Sequence, residues 1–278
     1  MCNTKEPKIL YHYCSLETFA KIIATKTLRF SDITKSNDSD EIVYLWNQYE
    51  KYIKKTCEPQ QHSFMKYIIN AEIENKQHFA LCFTELADSP YFWNCYANGG
   101  VAIGFNFKKL KEWAENSIKQ YVANIEWENN GVNPCHLSRV EYHCKSAIDK
   151  DLENIFKSIN ASTGIAGEIP FLCPFVKNDY FEAEQEWRIA FTIETDKNKM
   201  LTLWSSNGTN KKISVPLLFT QANKARMYYD VLFDSEIIEN IVLSSNSAIN
   251  EKNIYCFMNG NGINISQENI LRSKGSLN

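Results

Sequence analysis

The stretch Asn178-Asp-Tyr-Phe-Glu182-Ala-Glu184-Gln-Glu186-Trp187-Arg188-Ile189-Ala-Phe191 constrains the fold more than any other segment of the chain. From Trp187 onward the residues alternate as Trp-Arg-Ile-Ala-Phe-Thr-Ile, the pattern of a strand. Three carboxylates at every second position run straight into it. Residues two apart along an extended chain share a face. Glu182, Glu184 and Glu186 are therefore expected to crowd one side of a strand edge, with like charges about 6–7 Å apart. Such crowding is unfavourable unless a cation sits nearby. It points either to a functional site or to an exposed edge on which Arg188 supplies a local counter-charge.

A chain of 278 residues can bury a sizeable core, and 44% apolar content with 13% aromatics is that of a globular protein. The net charge of −3 supplies no global basic field to draw the protein onto nucleic acid or anionic membrane. The densest basic segment, Lys108-Lys109-Leu-Lys111, reads as the wet face of a helix. Nine cysteines form no CxxC pair, and several lie in apolar runs such as Ala80-Leu-Cys82-Phe, where a free thiol packs as a small hydrophobe. The first residues lack an apolar signal core, and no run reaches membrane-spanning length. A soluble, cytoplasmic protein with no membrane partner is expected; oligomeric state is not legible.

Ile9–Cys14 reads as a short strand, followed by a helix capped by Ser15 with Leu16, Phe19, Ile22 and Ile23 on one face. Leu28-Arg-Phe30 resumes an extended run. The polar cluster from Thr34 to Glu41, containing Asn37-Asp38, leads into a helix carrying Ile42, Leu45, Trp46, Tyr49, Tyr52 and Ile53. A helix over 61–75 is expected to carry Phe64, Tyr67, Ile68 and Ala71. Strands are expected at 78–84 and at 101–105, the second entered through the Gly99-Gly100 turn, with Gly104 allowing close strand packing. Helices follow near 107–119 and over 145–160, the latter with Ile148, Leu152, Ile155, Phe156 and Ile159 on one side; 120–144 reads as extended. The remainder reads as strands at 186–194, 200–204, 211–216, 239–245 and 252–258. Together these predict one α+β domain over 1–278, with a mixed, mainly antiparallel sheet and helices inserted toward the front.

The common phosphate-loop, HExxH and GxSxG signatures are absent. Cys135, His136, His143 and Cys144 offer four potential zinc ligands, but as strand residues they would face opposite ways in pairs about 26 Å apart, so a bend would be needed. His12, at the end of an apolar strand, reads by default as a buried, hydrogen-bonded structural histidine. Tyr91, Phe92, Trp93 and Tyr96 could be core. Trp93 and Tyr96, however, lie three apart on a helical turn, and each carries a polar handle suited to a ring-stacking pocket.

In order along the chain, Leu10-Tyr-His-Tyr-Cys-Ser15, Asn37-Asp38, Cys82-Phe-Thr84, Trp93-x-x-Tyr96, Gly100-Val-Ala-Ile-Gly-Phe105 and Phe181-x-x-Glu184-x-Glu186-Trp187-Arg188-Ile189 resemble the bacterial family called domain of unknown function 2971, over residues 8–192. The strand-rich 193–278 would complete the domain. The layout also resembles the ADP-ribosyltransferase fold, in particular its DNA-modifying toxin branch. That likeness implies a split sheet, NAD as substrate, no metal, and a macromolecular acceptor, protein or nucleic acid, as in a toxin or phage-defence effector. It implies that His12 holds the adenosine-side ribose, that Tyr13 and Ser31 lie in the NAD site, and that Trp93 or Tyr96 stacks on nicotinamide. Glu186 would be the catalytic carboxylate and Glu184 the acceptor-side group, with Arg188 pairing Glu186 or touching a phosphate. Cys82-Phe-Thr84 is a loose substitute for the middle Ser-Thr-Ser motif, and the Trp93–Glu186 spacing implies inserted elements. Alternatives are an NAD glycohydrolase or nuclease using the same residues, and a non-catalytic sensor whose glutamates are structural.

Overall fold

The computed structural model describes residues 6–35, 41–122, 135–144, 148, 150–161, 169–194, 217–221 and 224–275. In these segments the chain is α+β, built on one ten-stranded, mainly antiparallel sheet. The sheet pivots on β3 (Lys76–Thr84), which lies antiparallel to β8 (Glu186–Glu194) over its whole length, from Lys76↔Glu194 to Thr84↔Glu186. With β8 on one edge of β3, two other groups of strands share the opposite edge. At its Thr84 end β3 meets β1 (Ile9–Cys14), which continues through β4 (Val101–Asn106), β11 (Ile238–Leu243) and β12 (Ile270–Arg272). Nearer its start, at Ala80 and Phe79, it meets β2 (Thr27–Asp32), which continues through β10 (Lys224–Leu232) and β9 (Leu217–Gln221). Cys82 lies between the two attachment points. β5 (His136–Arg139) flanks β8, and β6 (Glu141–His143) pairs in parallel with β7 (Val176–Asn178) as a separate ribbon.

Strand alternation sorts the side chains of this sheet. Phe79, Leu81, Phe83, Trp187, Ile189 and Phe191 share one face and join the largest core with Leu10, Phe30, Ile103 and Phe105. On the other face lie His78, Ala80, Cys82, Thr84, Glu186, Arg188, Ala190 and Thr192. Its apolar cover comes from α2 (Val43–Thr56), α6 (Lys150–Ala161) and α7 (Ile169–Leu172), which bury Leu45, Trp46, Tyr49, Leu152, Phe156 and Ile169 against Ala80 and Ala190. α1 (Leu16–Thr25) is capped by Ser15, whose Oγ accepts from the Thr18 N–H, and it buries the expected Phe19, Ile22 and Ile23. Gly99 (φ 76°) makes the turn into β4, and a Cβ at Gly104 would collide with the Asn240 side chain of β11.

Four expectations from the sequence need correction. The 3₁₀ turn Asp179–Glu184 carries Glu182 and Glu184, Gln185 is left-handed (φ 42°), and the strand begins at Glu186, so the three glutamates do not line one strand face. α3 (Pro59–Asn75) buries Met65 and Ile69 and leaves Phe64 and Tyr67 62% and 74% exposed, a rotation of the expected apolar face. Residues 252–258 belong to α8 (Glu251–Gly260): Asn250 caps it by accepting from the Asn253 N–H, and Ile254 and Met258 meet the core at helical spacing. Part of 120–144 is helical, because α5 (Phe107–Val122) extends to residue 122. The expected strands at 200–204 and 211–216, and the Asn37-Asp38 pair, lie outside the described residues. Among the described residues no helix is long and apolar enough to cross a membrane.

Candidate active site

Five charged side chains meet where β8 begins. Arg188 is 1% exposed, the most deeply buried charge in the group. Its Nε donates to Glu186 Oε1 at 2.8 Å and one terminal nitrogen to Glu186 Oε2 at 3.0 Å, a two-pronged grip that alternate positions on one strand permit. The same nitrogen donates to Glu41, which stands just ahead of α2, and the other donates to the Pro174 carbonyl at 2.8 Å. Lys177 of β7 arrives from the side, its Nζ 2.8 Å from Glu186 Oε2, 2.9 Å from Glu184 Oε2 and 3.6 Å from Glu41. It also lies 5.0 Å from the centre of the Phe181 ring. Three carboxylates thus face two cations, all buried.

Burial by itself would raise the Glu186 carboxyl. Arg188 and Lys177 outweigh it and hold the group down at about 2. Burial works against the Lys177 and Arg188 charges in the same way, and the field of Glu186, joined by Glu41, reverses the effect and raises both. Glu186 receives two donors from Arg188 and one from Lys177. Those three donors occupy most of the roughly four lone-pair sites of a carboxylate. Its backbone N–H donates to Tyr142 Oη at 2.9 Å.

Glu184 is arranged differently. Gln185 in the left-handed conformation breaks the chain direction, so the Glu184 side chain leaves the 3₁₀ turn toward the aromatic segment after β3. Its Oε1 accepts from Tyr91 Oη at 3.2 Å and Tyr96 Oη at 3.3 Å, while Oε2 takes the Lys177 proton donor. The carboxylate is only 5% exposed, yet the two rings above it are about half exposed. Burial, with Glu184 adding its charge, pushes the Tyr91 hydroxyl up to about 12 and raises that of Tyr96. Glu182 is exposed on the outer side of the turn.

The structure brings Glu184, Glu186, Arg188 and Tyr96 together. It does not bring Trp93 to them. The short helix α4 (Pro90–Phe92) widens into a π turn over Trp93–Ala97, in which residues three apart no longer share a face. Trp93 therefore points inward, donates its indole N–H to Asp88 at 2.7 Å and lies edge-on to Tyr13 at 4.7 Å. Tyr13 is equally internal: its hydroxyl donates to the Leu86 carbonyl at 2.8 Å and accepts from the Ser89 N–H at 3.1 Å. His12 alternates with Tyr11 and Tyr13 and belongs to the opposite sheet face. Its Nδ1 is 2.9 Å from the Cys82 carbonyl, at the point where β1 and β2 diverge on the edge of β3, and its ring lies edge-on to Phe83. Burial lowers its basicity, partly offset by that bond. Ser31 of β2 pairs with Ala80 and shares the Glu186 face, but Ala190, level with Ala80, is four residues from Glu186, about 13 Å along the strand.

Lys177, Glu41 and Tyr142 complete the site without any mark in the sequence, and Tyr91, which the sequence offers only as part of an aromatic cluster, joins them. Lys177 lies seven residues before Glu184 and reads as the polar end of the apolar run Cys173-Pro-Phe-Val176; only the turn over 179–184 folds it back. Among the described residues no group of three or more His, Cys, Asp or Glu could hold a metal ion. Cys135 is buried in the large core, and His136 stacks on Phe175 at 4.5 Å.

Neither a curated protein nor a solved structure matches the chain. Residues 92–189, from the aromatic turn through the start of β8, match the model of a family described as Protein of unknown function (DUF2971).

Proposed function

We propose that this protein is an NAD-consuming ADP-ribosyltransferase that works through the carboxylate pair at the start of β8. The observation that carries the reading is the convergence of the half-exposed Tyr91 and Tyr96 hydroxyls on Glu184, beside a Glu186 held ionised by Arg188 and Lys177. Cleavage of the bond between nicotinamide and ribose builds positive charge on the ribose. Carboxylates fixed in a site that excludes water stabilise that charge best. Flanking aromatic rings suit a flat leaving group. Glu186 is locked by the buried Arg188 and by Lys177, whereas two of the three donors on Glu184 are half-exposed tyrosines that a ligand can displace, so Glu184 is the carboxylate we assign to substrate, with Glu186 setting the field around it. In the transfer, the ribose C1–N bond breaks with its electrons going to nicotinamide. The acceptor atom bonds to C1, and the acceptor's proton passes to Glu184.

The buried pairing of Glu186 with Arg188 and Lys177 favours a second reading, in which the charge cluster is a structural tie in a binding module. Incubation of the protein with labelled NAD and cell lysate separates the two. Label in protein or nucleic acid supports the transferase, and free ADP-ribose alone supports a glycohydrolase. Intact NAD after incubation, with no binding detected by calorimetry, overturns both NAD readings.

A further inference from the structure

Asp88 lies outside the charge cluster and on no strand or helix, yet it ties together two distant parts of the chain. Its Oδ1 accepts from the Trp93 indole at 2.7 Å and from Ser273 Oγ at 2.6 Å, and its Oδ2 accepts from the Lys274 N–H at 3.0 Å. Ser273 is buried, and its own N–H donates to the Leu243 carbonyl at 2.8 Å, continuing the β12–β11 ladder. Just before it, Arg272 grips Glu251 at 2.7 Å and donates to the carbonyls of Ser244 and Ile249. One jaw of this clasp is thus firmly seated on the sheet. The other is Trp93, the inward anchor of the turn that presents Tyr91 and Tyr96. Tyr13, edge-on to Trp93 and bonded to the backbone on either side of Asp88, braces the same turn from beneath.

We propose that Asp88 is a positioning residue: through Trp93 it sets the aromatic turn over Glu184, and the Ser273–Gly275 segment is the fixed point from which it does so. The idea concerns the contact between the tyrosines and Glu184, which exists whether or not the site turns over NAD. An anionic acceptor suits the place because three donors, two of them from side chains, converge on it from two segments far apart in the chain. With the carboxylate gone, the Trp93 N–H and the Ser273 hydroxyl lose the shared acceptor that joins them, so the turn gains freedom while β3 and β8 keep their ladder.

The test uses the full chain carrying 3-fluorotyrosine at position 96, compared as wild type, Asp88→Ala, Ser273→Ala, Ser273→Thr and Glu184→Gln. Hydrogen exchange of peptides spanning 89–98 is expected to run about tenfold faster in Asp88→Ala, the size of effect expected when bonds to a charged group are lost from a local opening equilibrium. Ser273→Ala should give a smaller change, which Ser273→Thr restores. Peptides covering 76–84 and 186–191 should keep their protection. The fluorine resonance at position 96 should move in Asp88→Ala toward its position in Glu184→Gln. Unchanged exchange at 89–98, an equal loss of protection across β3 and β8, or an unmoved resonance would each overturn the proposal. None of these readouts depends on NAD, so the proposal and the transferase reading can fail separately.

Discussion

Arg188 decides the balance of the buried charges. With Glu41, Glu184 and Glu186 on one side and Lys177 and Arg188 on the other, the group carries one net negative charge. Removing a cation deepens the imbalance, whereas removing a carboxylate relieves it. Arg188→Met is therefore expected to destabilise the fold by about 3–5 kcal/mol, as when a buried charge loses its partner. Glu186→Gln should cost less, about 1–3 kcal/mol, because it loses hydrogen bonds without leaving excess charge. Urea titrations of the two variants check this order; equal losses, or the reverse order, would contradict the charge count. The sequence announced that a cation had to sit near the glutamates, and Arg188 could be named from alternation alone. Lys177 and Glu41 could not, because one depends on a turn folding back and the other on a helix start 147 residues away.

Local geometry explains why some elements were legible and others were not. Strong periodicity marks the buried faces of α1 and α2, alternation marks β8, and short continuous apolar runs mark β3 and β4. The failures lie where a single left-handed or widened turn redirects the chain. Gln185 removes Glu184 from the strand, and the π turn separates Trp93 from Tyr96. In α8 a short apolar run satisfied both periods, and the Asn250 cap decided for helix; Asn250→Ala should cost about 1 kcal/mol, measurable as a lowered unfolding midpoint. β3 also holds a pH-sensitive element. His78 is buried, with Nδ1 2.9 Å from Thr192 Oγ1; burial, with Lys76 adding to it, lowers its value to about 3. The unfolded chain protonates this histidine near 6.5, so it binds more protons than the folded one over that window, and stability falls as pH drops through it. Glu186 acts lower down. Its folded value is depressed, so its contribution is complete above the unfolded value of about 4.3 and is lost as pH falls toward 2. Thermal midpoints measured from pH 7 to 5 should decline less in His78→Gln than in wild type. An identical decline would show that His78 is not the sensor.

At the scale of the molecule, the α+β class and the mainly antiparallel sheet followed from the order of strand-like and helix-like segments. The sharing of one β3 edge by β1 and β2 did not, since non-local pairing leaves no mark in local pattern. That sharing gives His12 its place, bonded to the Cys82 carbonyl where the two strands part. The Cys82 side chain itself points to the other face of the sheet, the face of Glu186, level with Arg188. His12 and Glu186 face opposite ways on the sheet, so the ribose-holding role that the resemblance implies for His12 would require a ligand reaching the strand junction. Glu184, under its two tyrosines, carries the central claim. The direct measurement is NAD consumption by wild type and Glu184→Gln, each shown by its thermal midpoint to be folded. Turnover by wild type and a loss of about 100-fold or more in the variant are expected. An inert wild type, or a variant as active as wild type, would contradict that claim.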